Sequence, residues 1–452
     1  MSSKKTNWLT ILGFVLALAA CAPEPPRSLV FISFDTTRRD HLSVYGYSRA
    51  TTPTLERLAQ QGTLFQNAVA QQNRTLPSHA SMFTGLYPHG HQSFTNKHIL
   101  PESQTTLAEI LSDAGFRTAA FVSGYTLRSD WGLDQGFELY DDEGKMSRWG
   151  EATSAEAREW LGGLDPRERF FLFLHLYDTH GPYRTPEDRV AFQSQEPGPR
   201  LTNIPDYQKL KGPDGAPLQH LNDYVDRYDT LIRYQDDVVG RLMDEIDLET
   251  TVVVIVADHG ETLGERTQTL NHGAALFDEE IRIPLLFVGS GVSAGRIETT
   301  VETVDLLPTI LEVLAVPLPP GDPLHGRSLV SLLDGDEGGE PSDRVVFASS
   351  VAEPNRYLDR GYELDTRRQI YAARAGDWKL IVYPNVSDDY VELYDLREDP
   401  MERRNVAAQQ PEVRDRLLAA LERWNPDYRE PISLVNLSDD ERERLRALGY
   451  IR

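Results

Sequence analysis

The stretch Leu-Val-Phe-Ile-Ser-Phe-Asp at positions 29–35 decides how the chain begins to fold. Its first six residues form a short apolar run rich in β-branched and aromatic side chains, which predicts a buried β-strand. Asp35 comes directly after this run. An aspartate in that position is often only a helix cap. Whether Asp35 belongs to a functional site therefore depends on which residues come after the other strands.

Further apolar runs alternate with amphipathic helical segments along the chain. The predicted strands and helices of this part are Thr118–Val122, Phe170–Tyr177, Thr251–Ala257 and Leu285–Val288 as strands, and Pro53–Gln61 and 222–246 as helices. This alternation predicts an α/β fold with a central, mostly parallel sheet flanked by helices.

The length of 452 residues allows one large core and a smaller appended unit. An acidic, glycine-rich segment at 334–340 is followed by new strand-like runs, a helix near 412–424 and another at 439–450. We therefore predict a main domain at 28–333 and a small C-terminal α+β subdomain at 334–452. The Pro- and Gly-rich stretch 186–217 is expected to be a long surface excursion near the site.

The N-terminus is typical of a targeting segment. Lys4 and Lys5 precede an apolar stretch, 8–20, that is short for a membrane span, and Leu18-Ala19-Ala20-Cys21 resembles a bacterial lipobox. We predict a lipoprotein signal peptide at 1–21 and lipidation of Cys21, the single cysteine of the chain. The protein would then be anchored in the bacterial cell envelope, facing the periplasm or the surface. A plain signal peptide with a chance cysteine is the alternative.

The charge balance limits the partners. Lys and Arg total 46 against 70 Asp and Glu, which gives a formal net charge of -24. A surface this acidic repels nucleic acid and anionic lipid, so neither is an expected partner. The only membrane contact we expect is through Cys21.

Polar residues come directly after three of the predicted strands. Asp35 follows the first, Asp178 and His180 follow Phe170–Tyr177, and Asp258 and His259 follow Thr251–Ala257. The carboxyl ends of parallel strands share one edge of the sheet, so these side chains are expected to converge. Asp35, Asp258 and His259 offer two carboxylates and one imidazole, a set that suits a divalent cation such as Ca, Mg, Mn or Zn.

Thr75 lies at the start of a second candidate segment. Pro77 and Ser78 are expected to open a short helix and Gly85 to close it, with Thr75 just before the helix. Backbone N–H groups at a helix N-terminus can bind an anionic ester oxygen. A metal-bound hydroxyl loses its proton more easily and becomes a competent nucleophile. Otherwise Thr75 is only a helix cap.

The order of these motifs resembles the sulfatase family of the alkaline phosphatase superfamily, over nearly the whole mature chain. The matching segments are Asp35 with 38–40, Thr75-x-Pro77-Ser78-His79, His180-Gly181-Pro182-Tyr183, Asp258-His259-Gly260-Glu261, His272-Gly273 and, near the C-terminus, 378–381 and 392–396.

The resemblance implies a metal-dependent hydrolase of sulfate or phosphate esters. Asp35, Asp258 and His259 would bind the metal, with Thr75 completing the set of ligands and forming a covalent ester with the substrate. His180 and His272 would contact the ester oxygens, and one of them would act as general acid. His79, the fourth expected catalytic residue, stands where many members of the family have arginine.

Three departures from the family pattern leave the substrate open. Typical sulfatases have Cys or Ser at position 75, matured to formylglycine, and a second metal aspartate where this chain has Thr36. Their Gly-Lys-Trp-His segment is replaced by 123–126, Ser-Gly-Tyr-Thr. A sulfated or phosphorylated small molecule or glycan is therefore the expected partner. A phosphoethanolamine-type transferase and a non-catalytic surface protein of the same fold are the alternatives.

The lipobox leads to a test in cells. Cys21→Ala removes the thiol that lipidation requires, so the protein should move from the membrane fraction to the soluble fraction. Fractionation followed by immunoblotting measures this, with a substitution of the neighbouring Ala22 to Ser as control. Unchanged membrane association of the Cys21 variant would contradict lipidation.

Overall fold

The computed structural model describes residues 27–143, 147–186, 190–202, 204–212, 214–266, 270–273, 275–321, 323–335, 344–351, 369–384 and 390–432. The predicted signal peptide, most of the acidic segment 334–340 and the helix predicted at 439–450 lie outside these residues.

An eight-stranded sheet forms the centre of the fold, in the order β10-β2-β9-β6-β1-β5-β3-β4. Its strands are β1 (Ser28–Phe34), β2 (Gly62–Val69), β3 (Arg117–Val122), β4 (Leu139–Asp141), β5 (Phe170–Leu176), β6 (Thr251–Ala257), β9 (Arg282–Gly289) and β10 (Gly295–Glu302). A separate two-stranded ladder joins β7 (Thr262–Leu263) and β8 (Leu270–Asn271). Most neighbours in the large sheet run parallel, but β9 is antiparallel to both β2 and β6. The mostly parallel sheet predicted from the sequence is confirmed.

The register of the three central strands brings their carboxyl ends to one level. Phe34 of β1 pairs with Leu176 of β5 and with Ala257 of β6. All three strands are almost entirely buried, which explains why they are apolar at nearly every position rather than at alternate ones. The residues just beyond these strands therefore meet at one edge of the sheet.

Helices cover the sheet. They are α1 (Pro53–Ala59), α2 (Thr75–Thr84), α3 (Pro88–His91), α4 (Leu107–Asp113), α5 (Gly150–Gly162), α6 (Leu221–Met243), α7 (Asp278–Ile281), α8 (Leu306–Val313), α9 (Val330–Leu333) and α10 (Pro411–Trp424). The helices predicted at Pro53–Gln61 and 222–246 are confirmed as α1 and α6, to within a few residues. Asp236 of α6 accepts hydrogen bonds from the backbone N–H groups of Thr54 and Leu55, so it caps α1 from outside. Among the described helices, none combines the length and apolarity that crossing a membrane requires.

The C-terminal part forms a four-stranded antiparallel sheet with one helix, α10, against it. Its strands are β11 (Val346–Val351), β12 (Gln369–Ala375), β13 (Trp378–Tyr383) and β14 (Tyr390–Asp395). One face packs on α10 through residues such as Leu417 and Leu421. The other packs on Val69, Leu276 and Phe277 of the main domain. The predicted α+β character of this part is confirmed.

A buried lysine ties this C-terminal sheet to the main domain. Lys379 of β13 is fully buried, and its Nζ lies 2.7 Å from Asp278 Oδ1 and 2.8 Å from Glu402 Oε1. Asp278 begins α7, in the main domain. Arg374 and Arg266 lie farther off, 3.4 Å from Asp278 and 3.8 Å from Glu402. Removal of the ammonium would take the nearest cation from two buried carboxylates, which is more costly than breaking an exposed pair.

Lys379→Met keeps the volume of the side chain and removes its charge. We expect it to lower the free energy of unfolding by about 3–5 kcal/mol, because two buried carboxylates lose the cation nearest to them. Arg117→Met is the matched control, since Arg117 is 45% exposed and pairs with Glu138 and Glu168; we expect a loss below about 1 kcal/mol. Urea unfolding followed by fluorescence measures both. Equal losses would contradict the role assigned to Lys379.

Candidate active site

Two fully buried carboxylates face each other at the ends of β1 and β6. Asp258 Oδ1 accepts hydrogen bonds from the backbone N–H groups of Thr36 (3.1 Å) and His259 (2.7 Å). Among the described residues, nothing donates a hydrogen bond to Asp258 Oδ2 or Asp35 Oδ1. Burial raises the pKa of both carboxyls well above the usual range, and Asp35 raises that of Asp258 further. Both effects disfavour two unpaired negative charges.

These carboxylates fit a divalent cation together with His259. Ligand atoms of Asp35, Asp258 and His259 all lie within 4.8 Å of one another. The Nδ1 atom of His259 is 2.9 Å from the carbonyl oxygen of Gly260, whereas its Nε2 makes no hydrogen bond within the described part of the chain. Three buried, unsatisfied ligand atoms in one place would be costly unless a cation binds them. The structure thus brings together the metal ligands predicted from the sequence.

Thr75 reaches the same place from α2. It is the first residue of this helix rather than the residue before it, and its side chain is fully buried. Its Oγ1 donates a hydrogen bond to Asp35 Oδ2 at 3.3 Å. Gly85 ends the helix in the left-handed conformation, as expected. The Thr75 hydroxyl therefore lies beside the candidate metal ligands at a helix N-terminus.

His79 lies beneath Thr75 and does not line an open pocket. It is fully buried, its Nδ1 is 2.8 Å from the carbonyl oxygen of Thr75, and its Nε2 is 2.8 Å from Ser33 Oγ. Burial, with a smaller effect of His175, lowers its pKa to about 3, so the ring is neutral. Both nitrogens are occupied, and this arrangement suits a residue that positions Thr75.

His180 and His272 lie together, each 8% exposed, with ring centroids 5.1 Å apart. Burial and the neighbouring His272 lower the pKa of His180 to about 3. His272 Nδ1 is 3.2 Å from Glu261 Oε1, and Tyr183 donates a hydrogen bond to the other oxygen of that carboxylate. A hydrogen-bond partner on Nδ1 fixes the tautomer and the orientation of the ring, so His272 is better placed as general acid than His180.

Two residues of this region had no predicted role. Glu261 is part of the Asp-His-Gly-Glu motif, but only the structure shows that it contacts His272. His175 lies inside β5, and its Nε2 is 3.3 Å from Asp35 Oδ2. The sequence did offer a sign of His175, because it is a polar residue within the otherwise apolar run of this strand.

A pocket of about 490 Å³ opens beside His180. Its wall carries aromatic rings, two arginines and a carboxylate: Ser147, Arg148, Trp149, Tyr177, Asp178, His180, Gly181, Pro182, Arg184 and Tyr207. Trp149 is 43% exposed, which is unusual for so large an apolar side chain. Asp178, which comes after β5, belongs to this wall and not to the metal cluster; burial raises its pKa to about 7.

Comparison with known proteins agrees with this geometry. The family described as Sulfatase matches residues 27–316, and the C-terminal region of N-sulphoglucosamine sulphohydrolase matches 272–425. Arylsulfatase K of Mus musculus is 25% identical, over 90% of this chain and 82% of its own. N-acetylglucosamine-6-O-sulfatase of Bacteroides thetaiotaomicron is 24% identical, over 95% and 93%.

Among solved structures, BT4656 in complex with its substrate D-glucosamine-2-N,6-O-disulfate superimposes with a TM-score of 0.72. The sequence identity is 20%, and the match covers 91% of this chain and 100% of the other. The family model and the relatives define a sulfuric ester hydrolase. The chain belongs to the sulfatase family.

The contact between His272 and Glu261 predicts that the loss of kcat on removing His272 depends on the basicity of the leaving group. A general acid contributes about 10²–10⁴-fold when the leaving oxygen is basic and little when it is a nitrophenolate. His272→Ala should therefore lower kcat much more for an alkyl or sugar ester than for a nitrophenyl ester, and Glu261→Gln should do so to a smaller extent. Steady-state kinetics with both esters measures this. Equal losses for the two esters would contradict the role of His272.

Proposed function

We propose that this protein hydrolyses sulfate esters of sugars through a covalent intermediate on Thr75. The observation that carries the proposal is the Thr75 hydroxyl, which is buried at a helix N-terminus and bonded to Asp35 within the Asp35–Asp258–His259 cluster. The sulfatase relatives, which align over nearly the whole chain, support sulfur as the atom attacked.

The proposed reaction has two displacements. Thr75 Oγ1 attacks sulfur, a threonyl sulfate forms, and the bond from sulfur to the sugar oxygen breaks. His272 gives its proton to that oxygen, so the sugar leaves as a neutral alcohol. In the first displacement Thr75 Oγ1 gives its proton to Asp35 Oδ2, which accepts its hydrogen bond. Water then attacks the sulfur of the threonyl sulfate and gives a proton to His272. The bond from sulfur to Thr75 Oγ1 breaks, Asp35 returns its proton to that oxygen, and sulfate is released.

A divalent metal held by Asp35, Thr75, Asp258 and His259 is part of the proposal. When bound, such an ion lowers the pKa of a coordinated hydroxyl and offsets the charge of the two buried carboxylates. Asp35 already accepts the hydrogen bond of Thr75, so the proton of the nucleophile has an acceptor next to it.

The pocket beside His180 is the proposed binding site for the sugar. Trp149 offers an exposed aromatic face, Asp178 an oxygen acceptor, and Arg148 and Arg184 positive charge in a chain of strongly negative net charge. Aromatic rings with a few polar groups are typical of such sites. Arg148 is paired with Asp141 at 3.0 Å, so Arg184 is the group that favours a sugar with further acidic groups.

Phosphate or phosphonate esters are a second candidate because of the nucleophile. Thr75 is an unmodified hydroxyl with no route to formylglycine, and Thr36 and His79 replace charged residues of the family pattern. We also propose that the protein acts in the bacterial cell envelope, held by lipidated Cys21.

Thr75→Ala should reduce turnover of every ester by more than about 10³-fold, because the covalent step is lost. Thr75→Ser, which keeps the hydroxyl, is the control and should retain measurable activity. Both variants should keep the thermal midpoint of the wild type within a few degrees.

The activity assay compares five compounds, each with and without a metal chelator. They are a glucosamine sulfate, nitrophenyl sulfate, a phosphate monoester, a phosphodiester and a phosphonate. We expect the sulfate esters to be the best substrates and chelation to abolish turnover. Faster turnover of a phosphorus ester would favour the second candidate. Activity of Thr75→Ala near that of the wild type would contradict the assigned nucleophile.

A further inference from the structure

Glu280 is a buried carboxylate that no step of the proposed reaction uses. It lies in α7, the short helix before β9, and its side chain is fully buried. Burying a carboxylate is costly unless hydrogen bonds satisfy it, so its partners indicate what the residue does. These partners come from three separate segments of the chain, and each segment carries a residue of the candidate active site.

One partner stands two residues before the proposed nucleophile. Asn73 is fully buried, and its Nδ2 donates a hydrogen bond to Glu280 Oε2 at 2.7 Å. The same amide nitrogen also donates to the carbonyl oxygen of Ala275. A buried amide whose two N–H groups are both bound has one orientation, so Glu280 helps to fix the backbone that leads into Thr75.

A second partner comes directly after the proposed general acid, His272. The backbone N–H of Gly273 donates to the same atom, Glu280 Oε2, at 2.9 Å. Gly273 has a φ of 84°, a left-handed conformation that glycine adopts without strain, so the chain turns at this point. One carboxylate oxygen therefore holds the segment of Thr75 and the segment of His272 together.

The third partner follows Glu261, the residue in contact with the proposed general acid. Thr262 Oγ1 donates to the other oxygen, Glu280 Oε1, at 3.1 Å. The main chain adds a fourth link, because the carbonyl oxygen of Glu280 accepts from the N–H of Gly260 at 2.8 Å. Gly260 comes directly after His259, so the segment with two of the candidate metal ligands is tied to α7 as well.

A buried carboxylate with a purely structural role looks different. Asp236 is almost fully buried, and its two oxygens accept from the backbone N–H groups of Thr54 and Leu55. Both bonds go to the start of one helix, α1. The bonds of Glu280 instead join separate segments, each within two residues of a side chain that the proposed reaction uses.

We propose that Glu280 is a positioning residue that sets the distance between Thr75 and His272, which rests on the roles proposed for those two residues. Glu280 acts through Asn73 and Gly273 rather than by contact with the substrate. A displacement of about 1 Å between reacting groups can lower a rate by about 10²-fold, so a fixed link between nucleophile and general acid contributes directly to turnover.

Four variants test this role. Glu280→Ala removes the carboxylate, and Asn73→Ala removes one of its partners in case the first variant folds poorly. Glu280→Gln is the conservative variant, because its carbonyl oxygen can replace Oε2 and its NH₂ group can donate to the Thr262 hydroxyl. Asp236→Ala is the matched control. Circular dichroism and thermal unfolding report the fold, and kinetics are measured well below each thermal midpoint.

With a glucosamine sulfate and nitrophenyl sulfate as substrates, Glu280→Ala should lower kcat by about 10²-fold and leave KM nearly unchanged. The loss should be larger for the sugar ester, which also needs the proton of His272. Glu280→Gln should restore kcat to within about threefold of the wild type. Asn73→Ala should cost little more when it is added to Glu280→Ala, because both changes break one link. Asp236→Ala should lower the thermal midpoint and keep kcat.

Wild-type kcat in a folded Glu280→Ala variant would overturn the inference. A Glu280→Gln variant as impaired as Glu280→Ala would also overturn it, because charge rather than position would then be required.

Crystal structures of the wild type, Glu280→Ala and Asp236→Ala give a readout that does not depend on activity. The distance from Thr75 Oγ1 to the His272 ring should change by about 1 Å in Glu280→Ala, the scale of displacement that affects rates, and not in the control. An unchanged distance would overturn the inference even in protein that hydrolyses no sulfate ester. Activity retained by Thr75→Ala would contradict the proposed function instead.

Discussion

The structure depends on two aspartates buried side by side at the ends of adjacent parallel strands. The pairing of Phe34 with Ala257 fixes their positions, and the backbone N–H of Asp258 donates to the carbonyl oxygen of Phe34. Within the described part of the chain, no lysine or arginine lies at ion-pair distance from either carboxylate. The side chains that do, His175 and His259, have pKa values lowered by burial and are therefore neutral. Two carboxylates in a water-excluded place must bind a proton or a cation. Because His259 offers a further ligand atom beside them, a metal ion suits this place better than a proton does.

One imidazole of this site, His79, stands where many members of the family have arginine. His79 and His180 both have pKa values lowered to about 3, so they bring hydrogen bonds without charge. Positive potential near Thr75 would then come from the metal and from the N-terminus of α2. This arrangement is consistent with an ordinary hydroxyl nucleophile, because an unmodified threonine needs help to lose its proton.

The C-terminal sheet contributes to the site as well as to stability. Arg74, next to Thr75, donates to the carbonyl oxygens of Gly273 and Val351, and Ser350 Oγ donates to the carbonyl oxygen of the same glycine. These contacts link the start of α2, the residue after His272 and the edge of β11. The residues next to Thr75 and His272, which come from distant parts of the chain, are therefore both held by the edge of the C-terminal sheet.

The sequence alone predicted the α/β fold and the strands that carry the site, because buried strands are apolar throughout. Polar residues directly after those strands pointed to Asp35, His180, Asp258 and His259 as candidate site residues. Thr75 was a candidate because it stands at a predicted helix start, and His272 was one through the resemblance to the sulfatase family. The antiparallel direction of β9, the pairing of Glu261 with His272, the hydrogen bonds that occupy His79 and the approach of His175 to Asp35 were decided by tertiary structure. Each depends on which strands and side chains become neighbours in space, and local sequence patterns carry no information about that.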